Sequence, residues 1–480
     1  MPESLIARFA NTASDRLQKI ALITERSQLS YEDVLRLVSV FDVQLRRNGV
    51  ADGQTIVIGS SRSEFVLAMS LVLSLRSYKV VFSDANSVLN AEIEFDWYID
   101  DEASYLLPSG KQIIISADWF QNLNSISVPD YTKIEYSSGA FVVRTSGSTG
   151  RPKFVESKES ERINASVRAA GIPGLDYPRI RQFATVGTRT GWGISLLLGP
   201  LLKGGSVLSL GENFRSQISY LDLYRVNLVV TTPAGLSQLA NVDGAEALLG
   251  SIADIRVGGA FPPEKILSEF MKISPAKIHI GYGASEIGNV FHCAYDRNTP
   301  FVEGYLGQLS NNELEVGFYD ETFQPLPKGT TEGVVGIRRK SKMDVRRYVG
   351  QQAEEQSFGM IGDVFFPGDI MRKDESGYYY VGRIKNIINI SGNKYSLEAI
   401  EGSLSAQFEG YEFVTLVEKG DRDLEVLNVF YKGGSDIDRE DIQAFLGRQF
   451  TGAKVLKASR VDLFPLTETG KIDRQALKSR

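Results

Sequence analysis

Between about residues 140 and 290, short apolar runs separated by Gly and Pro alternate with helical lengths of chain. The runs are Phe141–Val143, Ser206–Leu210, Leu228–Thr232, Asp254–Val257 and Lys277–Ile280. Strands this apolar are buried on both faces, and strands interleaved with helices pair in parallel through crossover connections. The pattern predicts an α/β sandwich with a largely parallel sheet. Binding groups in such sheets sit in the loops just beyond the strand ends.

The flanking segments read differently. Leu29–Gly49 has an amphipathic period, with Ser30 as cap, Val34, Leu37, Val38, Phe41 and Leu45 on one face, and Gly49 as stop. From Glu303 to Gly382 the alternation of Glu313–Tyr319 and Gly333–Arg338 predicts a β-rich part. After Arg383 come a helix over Ser396–Gln407, strands over Phe413–Glu418 and Val426–Tyr431, and a helix over Asp438–Phe450. The expected division is a large N-terminal domain, 1–384, of packed α/β subdomains plus a β-rich subdomain, and a small mobile α+β C-terminal domain, 385–480.

Composition narrows the chemistry. Two His and one Cys among 480 residues leave no material for His-rich metal sites, CxxC pairs or disulfide frameworks. The 53 basic and 59 acidic residues give a net charge of −6, which argues against broad nucleic-acid binding. The apolar stretch Phe65–Leu75 stops at Arg76, too short for a membrane span. The first residues, MPESLIARFA, do not read as a secretory leader, so a cytoplasmic location is expected.

The most informative local segment is Thr145-Ser-Gly-Ser-Thr-Gly-Arg-Pro-Lys153, directly after the run Phe141–Val143. Gly147 and Gly150 let backbone N–H groups converge, and the hydroxyls of Thr145, Ser146, Ser148 and Thr149 with Lys153 can grip phosphate oxygens. It is not a Walker loop, since Lys153 follows Pro152. Further along come Gly258-Gly-Ala-Phe-Pro-Pro263, Tyr282-Gly-Ala-Ser-Glu286, Gly368-Asp369 and Tyr378-Tyr-Tyr-Val-Gly-Arg383. Asn389-Ile-Ser-Gly-Asn-Lys-Tyr395 and Pro465-Leu-Thr-Glu-Thr-Gly-Lys-Ile-Asp-Arg474 complete the series.

In this order and spacing the set resembles the adenylate-forming superfamily of acyl-CoA synthetases, carrier-protein adenylation domains and luciferases. The resemblance implies that the Thr145–Lys153 loop holds the β- and γ-phosphates of ATP. It implies that Gly259, Ala260 and Phe261 line the adenine slot, with Tyr282 and Gly283 against the base. Ser285 would touch the α-phosphate and Glu286 would hold Mg²⁺, a hard ion that prefers oxygen ligands. Asp369 would accept the ribose hydroxyls, helped by Arg383, with Tyr380 nearby. Lys471 would be the adenylation lysine, Lys385 the hinge, and Gly392 part of a tunnel for a pantetheine thiol, on CoA or on a phosphopantetheinyl carrier protein. A lysine and Mg²⁺ can compensate phosphoryl charge without an acid–base histidine, which suits this chain.

The acyl pocket is expected along Phe183–Gly193, at Arg189, Thr190 and Trp192, with Val257, Gly281, Asn289 and Val290 as neighbours. Arg189 stands where amino-acid adenylation domains usually carry an Asp; it either faces the substrate or turns to solvent or a structural carboxylate. The sequence departs from the family at Arg144, at Phe154-Val-Glu156 and at Ser285, where Thr is commoner. The implied activity is an AMP-forming ligase joining a small carboxylic acid to a pantetheine thiol, with an acyl or peptidyl carrier protein as a candidate partner. Its rivals are a stand-alone amino-acid adenylation enzyme and a catalytically retired scaffold. The basic stretch Arg338–Arg347 reads as a solvated face, or as a patch for a CoA phosphate or an acidic carrier. His279, His292 and Cys293 read as packing residues.

Overall fold

The helix Ser63–Arg76 is buried almost all round, and a helix without a polar face has to lie inside the molecule. The computed structural model describes residues 4–478 apart from 105, 121–122, 135, 137, 146–152, 173, 211–217, 285, 311, 341–346, 351–358, 391–392, 420–424, 451 and 466–471. In it Ser63–Arg76 packs with the helices Glu159–Ala169 and Gly191–Leu201 between two sheets. Phe65, Leu71, Leu197 and Leu198 of this layer, with Phe141 of the neighbouring sheet, are fully or nearly fully buried in one core.

The larger sheet holds fifteen strands among the described residues. Six run parallel in the order Ile20–Thr24, Ser206–Ser209, Arg181–Ala184, Leu228–Thr231, Asp254–Val257 and Lys277–Ala284. Antiparallel strands extend it through Gly288–Tyr295, Tyr305–Leu309, Tyr378–Arg383, Asp369–Lys373 and Glu332–Arg339. The second sheet sets Gln112–Ile114, Trp97–Asp100, Thr55–Ile58, Lys79–Phe82 and Ala140–Thr145 in parallel. It closes with the antiparallel strands Lys153–Lys158 and Arg347–Val349.

After the short turn Ile384–Asn386 the chain forms a hairpin, Ile387–Ile390 with Asn393–Ser396, and a sheet of Glu412–Lys419, Glu425–Lys432 and Val455–Arg460. Helices Leu397–Gln407 and Arg439–Gln449 bury Ile400, Leu404, Ile442 and Leu446 against Ile388 and Leu427. Ser396 and Asp438 cap these helices through their side-chain oxygens.

Among the boundaries that differ from expectation, two have a clear physical cause. The helix predicted from Leu29 begins at Tyr31, because Gln28–Ser30 pairs as a strand with Ile20–Thr24; Ser30 still caps it, in a reciprocal box with Asp33. The strand predicted over Lys277–Ile280 continues to Ala284, because Gly288–Tyr295 pairs with it across a bulge between Tyr282 and Gly283. Tyr282 therefore lies in a strand and not in the loop after one.

Candidate active site

Register builds the first part of the site. Asp369 opens one strand, Arg383 ends its neighbour, and the two stand opposite each other. Arg383 Nε donates to Asp369 Oδ1 at 2.7 Å, and the Tyr282 hydroxyl donates to Oδ2 at 2.5 Å. Asp369 is only 2% exposed. Burial and the Asp369 charge push the Tyr282 phenol well above its ordinary range, and Asp369 raises the Arg383 guanidinium. Tyr380 is raised by burial, with Asp369 adding to it. Gly259, at φ +87°, and Ala260 are exposed beside the half-buried Phe261, whose ring lies 6.1 Å from Phe301. Tyr282 itself leans on Phe291 at 5.6 Å.

The second part gathers charge. Thr145 and Lys153 face each other in register, so the chain leaves and rejoins this sheet at one place. Lys153 is 5% exposed, with Nζ 5.2 Å from the ring of Tyr348. The Tyr348 hydroxyl donates to Glu286 Oε1 at 3.2 Å. Tyr348 was not singled out by its sequence, where it is one aromatic after a basic run. The Lys385 amine is lowered by burial and then by the charges of Lys153 and Arg383. Lys153, Arg383 and Lys385 thus bring positive charge to one region, which suits a polyphosphate.

Glu286 uses Oε1 for Tyr348, and among the described residues Oε2 has no protein partner. Those residues contain no cluster of three or more His, Cys, Asp or Glu able to hold a metal ion. One half-buried carboxylate fits Mg²⁺, which is commonly held by one or two carboxylates plus substrate phosphates and water. Ser146, Gly147, Ser148, Thr149, Gly150, Ser285, Gly392 and Lys471 lie outside the described residues, as does the side chain of Thr145. The chain on either side of Lys471 is placed: Asp473 N–H donates to the Pro465 carbonyl at 2.8 Å. Arg474 grips both oxygens of Glu401, at 2.7 and 3.0 Å, and donates to the Thr415 carbonyl at 2.6 Å.

The third part lies between the sheets. The Trp192 ring sits against Gly258, where a Cβ would come within 2.9 Å of it. A Cβ on Gly281 would stand 3.1 Å from Asn289 Oδ1 and 3.3 Å from both Nε and Nη2 of Arg256. Thr190 is 9% exposed and caps the helix Gly191–Leu201 by accepting from Gly193 N–H at 2.9 Å. The Arg189 guanidinium donates through Nη1 to the Gly59 carbonyl at 2.5 Å, just past the strand Thr55–Ile58. Val257 packs in the core with Leu267 and Phe270, and Val290 in another with Ile287 and Phe291. Strand alternation puts Arg256, and not Val257, on the Trp192 side. Sequence reading missed Arg256, although a charged residue inside the apolar strand Asp254–Val257 was the available signal.

His279 and His292 are stacked at 5.4 Å and bonded Nδ1 to Nε2 at 3.2 Å, with His279 Nε2 2.8 Å from Asp254. Cys293 is buried and its thiol is pushed up to about 12 by that burial. In the basic stretch, Arg338 meets Glu315, Arg339 meets Glu161 and Arg347 meets Glu156, at 2.9, 2.6 and 2.7 Å. Arg338 and Arg347 are exposed in their pairs whereas the Arg339–Glu161 pair is largely buried, and residues 341–346 of the stretch lie outside the described residues.

A layered α/β body with an Asp–Arg–Tyr clasp beside converging cations defines a nucleotide-handling protein of the adenylate-forming class. The profile of the AMP-binding enzyme family matches residues 100–344, just over half of the chain, and the chain belongs to that family. Tyrocidine synthase 3 of Brevibacillus parabrevis is 22% identical over 99% of this chain and 8% of its own length. Surfactin synthase subunit 2 of Bacillus subtilis (strain 168) is 21% identical over 99% of this chain and 14% of its own length. The chain spans about a tenth of the first curated relatives it matches.

Among solved structures, the anthranilate CoA ligase AuaEII in complex with anthranoyl-AMP is 17% identical, with a TM-score of 0.82 over 100% of this chain and 98% of the other. ATP-bound MatB from Rhodopseudomonas palustris is also 17% identical, with a TM-score of 0.82 over 100% and 99%. McyG A-PCP complexed with phenylalanyl-adenylate is 16% identical, with a TM-score of 0.79 over 100% and 83%. These likenesses are of fold. No described helix is long and apolar enough to cross a membrane.

Proposed function

We propose that the chain is an ATP-dependent, AMP-forming carboxylic acid ligase, and that it passes the acyl group to a pantetheine thiol of CoA or of a carrier protein. The observation that carries this reading is the clasp of Tyr282, Asp369 and Arg383, a buried carboxylate oriented by two donors. A carboxylate so placed accepts hydrogen bonds from the ribose hydroxyls of ATP. Phe261, Gly259 and Ala260 border the adenine, and Tyr282 flanks it. The loop from Thr145 to Lys153 takes the β- and γ-phosphates, with Ser285 at the α-phosphate.

In the first half-reaction the substrate carboxylate attacks the α-phosphorus, pyrophosphate leaves, and a mixed acyl–phosphate anhydride forms. Two anions meet and the transition state spreads charge over the phosphoryl oxygens, so fixed cations supply much of the catalysis. Lys471 and Lys153 act in that role. Glu286 would hold Mg²⁺, which when bound withdraws charge from the phosphate oxygens. In the second half-reaction the thiol sulfur bonds to the acyl carbon and AMP leaves with the electron pair of the broken bond. The division at Lys385, into 1–384 and 385–480, lets the small domain exchange Lys471 for the loop around Gly392. A cytoplasmic site of action belongs to this reading, supported by a single, buried cysteine.

A second reading is amino-acid adenylation within a peptide-making assembly. The names of several relatives favour it, phenylalanyl-adenylate-bound McyG A-PCP among them. Acid-dependent exchange of radiolabelled pyrophosphate into ATP, run over aliphatic, aromatic, dicarboxylic and α-amino acids, tests both. Exchange with at least one class is expected. Exchange confined to α-amino acids selects the second reading, and none with any acid, in protein that binds AMP, rejects both and leaves the scaffold.

A further inference from the structure

The parallel register lines up one face of the larger sheet. Ala184, Val230, Arg256 and His279 are neighbours in successive strands, and one step along the sheet Gly281 stands opposite His292. This face looks onto Trp192 and the helices between the sheets. Arg256 is 5% exposed there. It donates through Nη1 to the Ala169 carbonyl at the end of the helix Glu159–Ala169. No carboxylate among the described residues pairs with it, since Asp254, on the same strand face, is engaged by His279. Its Nε and Nη2 lie where a side chain at Gly281 would stand, beside the Asn289 carbonyl oxygen.

A guanidinium out of water and without a counter-charge is costly, and the cost shows around it. Burial lowers the Arg256 guanidinium, and its charge helps to push His292 down to about 4. Arg162, equally deep, is different: its guanidinium donates to the Gly191 carbonyl, Ser195 Oγ and Ser157 Oγ. Nε and Nη2 of Arg256 have no such partner among the described residues and lie close against Gly281, while the Trp192 ring covers Gly258 on the same face.

We propose that Arg256 is the specificity-determining cation of the acyl pocket, and that the activated acid carries a second oxygen acceptor, a carboxylate or a carbonyl, at its far end. The inference rests on the ligase reading above and names the substrate class of that same site. The far oxygen bonds to Nε and Nη2 and supplies the charge that the fold omits. A site built to pair a polar group rejects the analogue that lacks it, because its own buried donor is then left unpaired.

Pyrophosphate exchange with matched acids tests this. Each pair sets a dicarboxylic or oxo acid against the alkyl acid of equal heavy-atom count, over several chain lengths, and the swap is repeated on aryl and α-amino acids. In the native protein the acceptor-bearing member is expected to win in at least one series by about 100-fold in kcat/KM. Arg256→Met should shrink that ratio to about tenfold or less, mainly through KM, whereas Arg256→Lys should keep part of it for the diacid. Gly281→Ala, whose methyl would stand 3.3 Å from Nε and Nη2 and so crowds the guanidinium without removing it, should erode the same ratio and decides the matter if Arg256→Met no longer binds AMP. Preference for the alkyl member throughout, or a ratio unchanged in the deciding variant, overturns the inference. Exchange without acceptor preference sinks it alone; exchange with no acid sinks it together with the ligase reading.

Discussion

Asp369 shows how one residue can organise a site. Its two oxygens are assigned to two different donors, Arg383 Nε and the Tyr282 hydroxyl. Buried and held by both donors, the carboxylate is fixed in one orientation. His292 is the residue with the clearest consequence for stability. Burial first, then the charges of His279, Arg256 and Lys277, lower it from 6.5 to about 4. Unfolding restores the ordinary value, so below pH 6.5 the unfolded chain takes up a proton that the folded chain refuses. This contribution is intact above pH 6.5 and is lost progressively as the pH falls toward 4. Urea midpoints measured from pH 7.5 to 4.5 should therefore fall more steeply for the native protein than for His292→Gln, by a difference that grows as the pH is lowered. Parallel curves for the two proteins would remove His292 from the account.

At the scale of elements, the hairpin Lys277–Ala284 with Gly288–Tyr295 places Tyr282 and Glu286 together. It closes tightly because Gly283 has no side chain: a Cβ there would come within 2.2 Å of the Gly288 carbonyl oxygen. Gly283→Ala should push the two strands apart, destabilise the protein by about 1–3 kcal/mol, and raise the Mg²⁺ concentration needed for half-maximal exchange. A variant with normal Tm and normal Mg²⁺ response would show that the hairpin does not set Glu286. Three helices were legible from their caps. Ser30, Ser396 and Asp438 announce helix starts by local hydrogen bonding that requires no distant partner. The strand through Tyr282 was read too short because its last residues owe their conformation to Gly288–Tyr295, a partner that periodicity within one segment does not reveal.

For the whole molecule, Lys385 lies in the turn Ile384–Asn386 between the large sheet and the C-terminal module. The Lys153 and Arg383 charges act on it there. The segment carrying Lys471 returns to the module through Arg474, clamped by Glu401 and the Thr415 carbonyl. On the proposed reading, in which the module turns about Lys385, Lys471 would serve one half-reaction only. Lys471→Ala should cut adenylate formation about 100-fold or more while leaving thioester formation from supplied acyl-AMP within a few-fold of normal. Equal losses in both, measured on the same preparation, would mean that the two half-reactions share one arrangement of the chain.

The nucleotide motifs were legible in sequence because each is a short run of residue types whose chemistry is local: glycines that free the backbone, hydroxyls and lysines that meet phosphate. The order of these runs carries the family resemblance, which in turn implies the candidates Asp369, Arg383, Tyr282, Glu286 and Lys153, while the α/β class follows from apolar runs alternating with helical lengths of chain. Tertiary structure alone decided which side chains share a surface. Arg189, at the expected pocket position, donates to the Gly59 carbonyl, just past a strand of the other sheet. Arg256, unremarked in the strand Asp254–Val257, lies against Gly281 of the neighbouring strand. The reason is that strand register and sheet-to-sheet packing are set by contacts between residues far apart in the chain. A sequence states what a residue can do; only the packed sheets determine what it meets.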